Sequence, residues 1–225
     1  MDTLDQLLFG YRDGHQLIAG SRSLSPRQQR DVLPHLDANF DHADAQQLVG
    51  IGIPSLHAYL LGRIWPAPEL PRPGAVWAHA LLLSAHQLAH IRLAGLLALL
   101  RRPLDDRFDY YSRALPVPQG FEYAPAPPPL ARALAWAVGT ADGSPRIVLW
   151  DNPDEAEGTL VGLLDASRDT DRFALSFRTR ERARLRSPYR IQVATAVVGP
   201  PGERRDAVID PRDPPYESRP QTSAA

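Results

Sequence analysis

The sequence predicts an α+β fold: a mixed sheet with an N-terminal hairpin, a buried central helix and a smaller second α+β part. Three observations predict it. Strand-like segments flank an Asp-Gly turn near the start, a strongly apolar stretch of helical character runs from Ala85 to Arg101, and strand-like and helix-like patterns alternate in the last third. With 225 residues, 44% of them hydrophobic, the chain has enough material for a sizeable core.

"LDQLLFGYRDGHQLIAGS" reads as two strands joined at Arg12-Asp13-Gly14-His15, because Asp-Gly adopts the positive φ angles of a tight hairpin. In "SPRQQRDVLPHL", Ser25 is placed to cap a short helix and Pro26 to occupy its first position, where a missing N–H costs nothing; the helix should end near Pro34. Segment 50–66 suits a broken pair of strands, around Ile51 to Ile53 and Tyr59 to Trp65. "AVWAHALLLS" predicts a largely buried strand from Val76 to Leu83, with Ser84 as the N-cap of the next element. From Ala85 to Arg101 the leucines surround much of a helical wheel, which predicts one enclosed helix.

A Pro-rich connection over 102–128 precedes a helix from Leu130 to Val138, and a subdomain break is expected near 103–128. Beyond it, "RIVLW" reads as a strand, "PDEAEGTLVGLLDAS" as a helix with acidic residues in its first turn, and "DRFALSFRT" and "RIQVATAVV" as strands. Residues 1–198 are therefore expected to form one module, and the polar, Pro-rich segment 199–225 a disordered tail.

Several function classes are excluded by composition. The absence of cysteine rules out disulfides, thiolate zinc sites, iron-sulfur clusters and cysteine nucleophiles. There is no lysine and no G-x-x-x-x-G-K-[ST] pattern, so the chain is not a P-loop nucleotide hydrolase. A formal net charge of -1 argues against a surface built wholly for nucleic acid or anionic membrane. Asp2 and Asp5 stand where a signal peptide would carry positive charge, and no apolar run approaches the roughly 20 residues of a membrane helix, so a soluble cytoplasmic protein is expected.

Three constellations carry chemical interest. In "HQLAH", His86 and His90 share one helix face at i, i+4, and His79 lies close enough in sequence to be a third metal ligand. The position of the general base in the metalloprotease pattern is however Gln87, which takes no proton, and the expectation is an ordinary strand-to-helix junction without metal. His15 and His79 each precede an apolar segment, an arrangement similar to two-histidine phosphoesterases, but the positions two residues on are Leu17 and Leu81 and lack the phosphate donors. "FRTRERARLR" places Arg178, Arg180, Arg182, Arg184 and Arg186 at alternate positions, so an extended strand would present one basic face. A solvated or acid-paired face ranks ahead of nucleic-acid binding there, because no regular aromatic interleaving accompanies the arginines.

Three segments together, "LLFGYRDGHQLIAGS", "RPGAVWAHALLLSAHQLAHI" and "FALSFRTR", resemble the N-terminal domain, type 1, of bacterial GTPase-associated protein 1 in order and spacing over most of residues 4–186. The matching residues are Phe9-Gly10-Tyr11, Gly14-His15, Pro73-Gly74, Val76-Trp77 and His79. The resemblance implies a component of bacterial conflict or antiviral defence systems, encoded near a separate GTPase, with a role in recognition or assembly and no established catalytic residues. The resulting expectation is a non-enzymatic protein-protein interaction scaffold without cofactor, metal or membrane contact. Its partner is a separately encoded GTPase or another defence protein, and Tyr11, Gly14, His15, Trp77 and His79 are the motif residues. The rivals are a phosphoesterase or nuclease using His15 and His79, and a nucleic-acid binder using the arginine ribbon.

Overall fold

A computed structural model of the chain describes residues 3–40, 45–105, 107–117, 126–140, 145–167, 169–184, 186–198 and 207–212. The Asp-Gly signature makes the expected turn: β1 (Thr3–Tyr11) and β2 (His15–Gly20) pair antiparallel, with Asp13 at φ 58° and Gly14 at φ 140°. Ser25 closes a capping box with Gln28 at the start of α1 (Pro26–Val32). β3 (Gln47–Ile53) and β4 (Ala58–Pro66) form a second antiparallel pair, and β5 (Val76–Ser84) lies between β4 and β1. Every residue of β5 from Val76 to Leu83 is buried, because both of its faces are covered.

Ser84 caps α2 (Ala85–His90) as expected, again through a capping box, with Gln87. The single helix expected from 85 to 101 is not formed. Ile91 and Arg92 are extended, and Leu93–Leu99 continues as a 3-10 helix. The cause lies far away in sequence: the Leu93 N–H, which an unbroken helix would direct to the carbonyl four residues back, donates to both carboxylate oxygens of Asp165 (3.0 and 3.1 Å). Leu93, Leu96 and Leu97 are nevertheless buried, so the segment is as enclosed as its leucines require.

The remaining elements are β6 (Leu115–Pro116), α3 (Pro128–Thr140), β7 (Arg146–Leu149), α4 (Glu157–Ala166), α5 (Asp169–Ala174), β8 (Phe177–Arg184), β9 (Ile191–Val198) and β10 (Val208–Ile209). The strand expected over "DRFALSFRT" is thus half helix, and β8 starts only at Phe177. Arg172 accounts for this, since its guanidinium donates to the carbonyls of Leu88, Ala89 and Asp165 and so ties α5 to α2 and α4. Within the expected tail, residues 207–212 are described; Val208 and Ile209 pair in parallel with β7, and Ile209 is buried. The other tail residues lie outside the described set.

The strands run β10-β7-β9-β8-β3-β4-β5-β1-β2, with β6 beside the start of β1. The N-terminal strands are antiparallel, whereas β8, β9, β7 and β10 are parallel to one another. One core cluster joins Leu61 and Leu83 to Leu134, Val148, Leu160 and Phe177, so the sheet and its main core continue across the Pro-rich connection. The opposite face packs Phe9, Ile64, Ala78 and Leu82 under Val32 and Leu36.

At the centre of the N-terminal half, Trp77 lies over β1 where residue 10 is glycine, and a Cβ at that position would overlap the indole ring. Gly10→Ala is therefore expected to cost about 1–3 kcal/mol by overpacking, and Trp77→Ala about 3–5 kcal/mol by truncation, both read from urea unfolding. In a Trp77→Leu background the Gly10→Ala penalty should largely disappear, because the overlapping ring is gone. An undiminished penalty would show that the two positions are not coupled.

Candidate functional site

The motif residues on β5 face inward. The Trp77 indole N–H donates to Glu69 (2.8 Å), and the ring is 6% exposed. His79 is fully buried between Gln6, on β1, and the backbone of Arg101: its Nε2 lies 2.7 Å from Gln6 Oε1, and its Nδ1 accepts the Arg101 N–H at 3.0 Å. Since Nδ1 accepts, Nε2 carries the proton and donates it to Gln6, which fixes one neutral tautomer. Gln6 in turn donates to the carbonyls of Tyr110 and Arg113 (2.6 Å each), and the rings of Tyr110 and Tyr111 meet the imidazole edge-on. Burial, reinforced by the Arg101 charge, pushes the His79 pKa down to about 3.

His15 sits elsewhere. It comes directly after the turn made by Gly14, lies 6.3 Å from the Phe9 ring, and places Nδ1 3.6 Å from Asp37. Contact with His15 draws the Asp37 carboxyl below its usual range, against partial burial. Phe9 belongs to the core on the α1 face of the sheet, whereas His79 shares its face with Trp77, Leu81 and Leu83. The two histidines therefore lie on opposite faces and cannot work as an acid-base pair on one phosphodiester. Tyr11, half-buried, stacks under the Arg72 guanidinium at 5.6 Å. His86 and His90 do share a face, with ring centroids 4.7 Å apart, but both are exposed, and both nitrogens of His79 are already engaged.

The arginine ribbon behaves as its alternation requires. Phe177, Thr179 and Ala183 point into the structure, while Arg178, Arg180, Arg182, Arg184 and then Arg186 line one groove of about 620 Å³. The groove exists because β8 leaves β3 early. Backbone pairing is confined to Val49 with Arg178 and Gly50 with Phe177, and beyond them the Leu48 N–H is taken by the Thr179 hydroxyl (2.8 Å). Gln47, Asp37 and Asn39 fill the far wall of this fork.

At the back of the groove, Arg178 is buried and held at three points: by Gln47 Oε1 (2.9 Å), by the Asp37 carbonyl (2.6 Å) and by the Tyr189 hydroxyl (3.4 Å). The Tyr189 hydroxyl also meets His35 Nδ1 at 3.0 Å. Burial and the Arg178 charge keep His35 neutral, so Tyr189 donates to it. Arg178 and Arg180 both lie 5.7 Å from the Tyr189 ring centroid. Sequence reasoning identified the arginines but not Tyr189, His35 or Gln47, which no motif marks. The signal that could have found Tyr189 is an aromatic placed directly after the basic run, in "RSPYR".

Similarity to a known family is found in the first part of the chain. Residues 3–100 match the family GTPase-associated protein 1, N-terminal domain type 1. No curated protein and no solved structure matches the chain. The match to GTPase-associated protein 1 takes in Tyr11, Gly14, His15, Trp77 and His79, whereas the arginine row and the "FALSFRTR" segment fall outside it. No helix among the described residues is long and apolar enough to cross a membrane.

A buried ion pair connects the part matching GTPase-associated protein 1 to the rest. Arg63 on β4 meets Glu157 at the start of α4, and both are largely enclosed. Burial raises the Glu157 pKa to about 7, more than Arg63 lowers it. The folded chain thus holds a proton that the unfolded chain releases between the usual carboxylate range and about 7, so stability falls as pH rises through that window. Glu157→Gln should flatten this fall, compared by urea unfolding at about pH 5 and about pH 8. His79 should show no titration in nitrogen-15 spectra between about pH 5 and 8; a midpoint near its ordinary value would refute the assigned tautomer and burial.

Proposed function

We propose that the chain is a non-catalytic interaction module of a GTPase-linked bacterial conflict or antiviral defence system, cytoplasmic, and docking onto a separately encoded GTPase or another defence protein. The similarity of residues 3–100 to the N-terminal domain of GTPase-associated protein 1 carries the reading. The geometry of the motif supports it. Trp77 and His79 are consumed by packing and by internal hydrogen bonds, which suits a scaffold and leaves neither group exposed to a substrate. In this reading residues 1–198 act as one module, Tyr11 and His15 stand at the rim of the hairpin, and neither cofactor nor metal takes part.

The test is retention of the purified neighbouring GTPase on the immobilised chain, once with GDP and once with a non-hydrolysable GTP analogue. Retention that differs about tenfold or more between the two nucleotide states is expected, which corresponds to a coupling of about 1.4 kcal/mol. Absence of retention in both states would overturn docking on the GTPase. Loss of retention only when surface residues such as Tyr11 are changed, with folding intact, would place the contact on the hairpin.

A further inference from the structure

The fork between β3 and β8 holds guanidinium groups, those of Arg180 and Arg184, that meet no carboxylate among the described residues. They stand beside Arg178 along one wall, and the one carboxylate among the described lining residues, Asp37, is already engaged by His15. Arg180 is half-buried, has no acidic partner among the described residues, and leaves its Nε–H buried without an acceptor. Its desolvation and the nearby charges of Arg178 and Arg184 push its pKa down to about 10. An enclosed guanidinium without an acidic partner is costly, and an anion against its exposed edge offsets that cost.

We propose that this groove binds the phosphodiester backbone of a single-stranded nucleic acid, independently of base sequence. Spacing favours a polyanion. Alternate positions on an extended strand recur about every 6.6 Å, so Arg178 to Arg184 make a row roughly 20 Å long. A repeating backbone with one charge per unit matches that row along its length, whereas one isolated phosphate group occupies a single step. The groove is preorganised at its inner end, where Gln47, the Asp37 carbonyl and Tyr189 fix Arg178. Base reading is not provided for. The aromatic ring in the groove, Tyr189, is buried and flanked by two guanidinium groups, so it offers no open platform for stacking, and the Gln47 side-chain oxygen is occupied by Arg178.

The experiment is fluorescence anisotropy of the full chain with a labelled oligothymidylate over a range of salt concentrations. Neutralising about three phosphates, at Arg178, Arg180 and Arg184, predicts a slope of log affinity against log salt of about -2. The double variant Arg180→Gln with Arg184→Gln should weaken binding about tenfold or more and make the slope shallower by about 1.4, with thermal melting unchanged. Arg184→Gln alone, at an exposed position, gives half the change in slope and keeps the test decisive if Arg180→Gln perturbs folding. Absence of binding at low salt, variants that leave affinity and slope unaltered, a duplex that binds more tightly than the single strand, or polyglutamate that competes as well as the oligonucleotide would each overturn the proposal. The groove's role is independent of the GTPase reading: retention of the GTPase without oligonucleotide binding would sink this inference and leave the other standing.

Discussion

The absence of a side chain at Gly10 lets Trp77 lie down on β1, and much of the N-terminal half depends on that contact. With the indole in place, its N–H reaches Glu69, and its ring joins Leu8, Ala67 and Tyr111 in a cluster closed from above by Phe108. The same closure keeps water from His79, two residues along β5. His79 then takes the backbone N–H of Arg101, and through Gln6 it helps hold the segment carrying Tyr110 and Arg113. An imidazole placed in this way acts as a structural hydrogen-bonding hub rather than a proton carrier. The hairpin at Asp13 and Gly14 and the tryptophan strand are therefore two flanks of one central strand, β1.

What the sequence revealed and what it concealed divide along physical lines. Features decided within a few residues were legible: the turn at Asp13-Gly14, the caps at Ser25 and Ser84, and the buried strand around Trp77 all appear where local chemistry puts them. Features decided by distant residues were not. The helix after Ser84 is interrupted because Asp165 captures the Leu93 N–H, and Asp169–Ala174 is helical where Arg172 reaches back to Leu88 and Ala89. Neither partner can be guessed from the local pattern, since leucines at helical spacing are compatible with a continuous helix and with a broken one. The resemblance drawn from three segments extends past the matched region, which ends at residue 100.

The same division holds at the groove. Alternation alone shows that the even-numbered arginines of β8 share a face, and the inward positions of Phe177, Thr179 and Ala183 bear this out. The wall opposite comes from the segment after α1 and from the first residue of β3, brought there by sheet order. No sequence rule pairs β3 with β8 across more than a hundred residues. Nor could the separation of His15 from His79 be read from their similar surroundings. Both flank β1, but one ring packs on the Phe9 face and the other on the Trp77 face.

The tie between Arg63 and Glu157 bears on the autonomy of the kinship-defined segment. A fragment ending at residue 100 would lose Glu157 as the counter-ion of an enclosed guanidinium, the Thr179 hydroxyl that receives the Leu48 N–H, and the carboxylate that receives the Leu93 N–H. It would also open the core where Leu61 and Leu83 meet Leu134 and Leu160. Uncompensated enclosed charge and a bared apolar face are each destabilising on a scale comparable to the whole free energy of folding of a small domain. The boundary of the matched region is thus not a boundary of packing: core, ion pair and backbone hydrogen bonds all run across it.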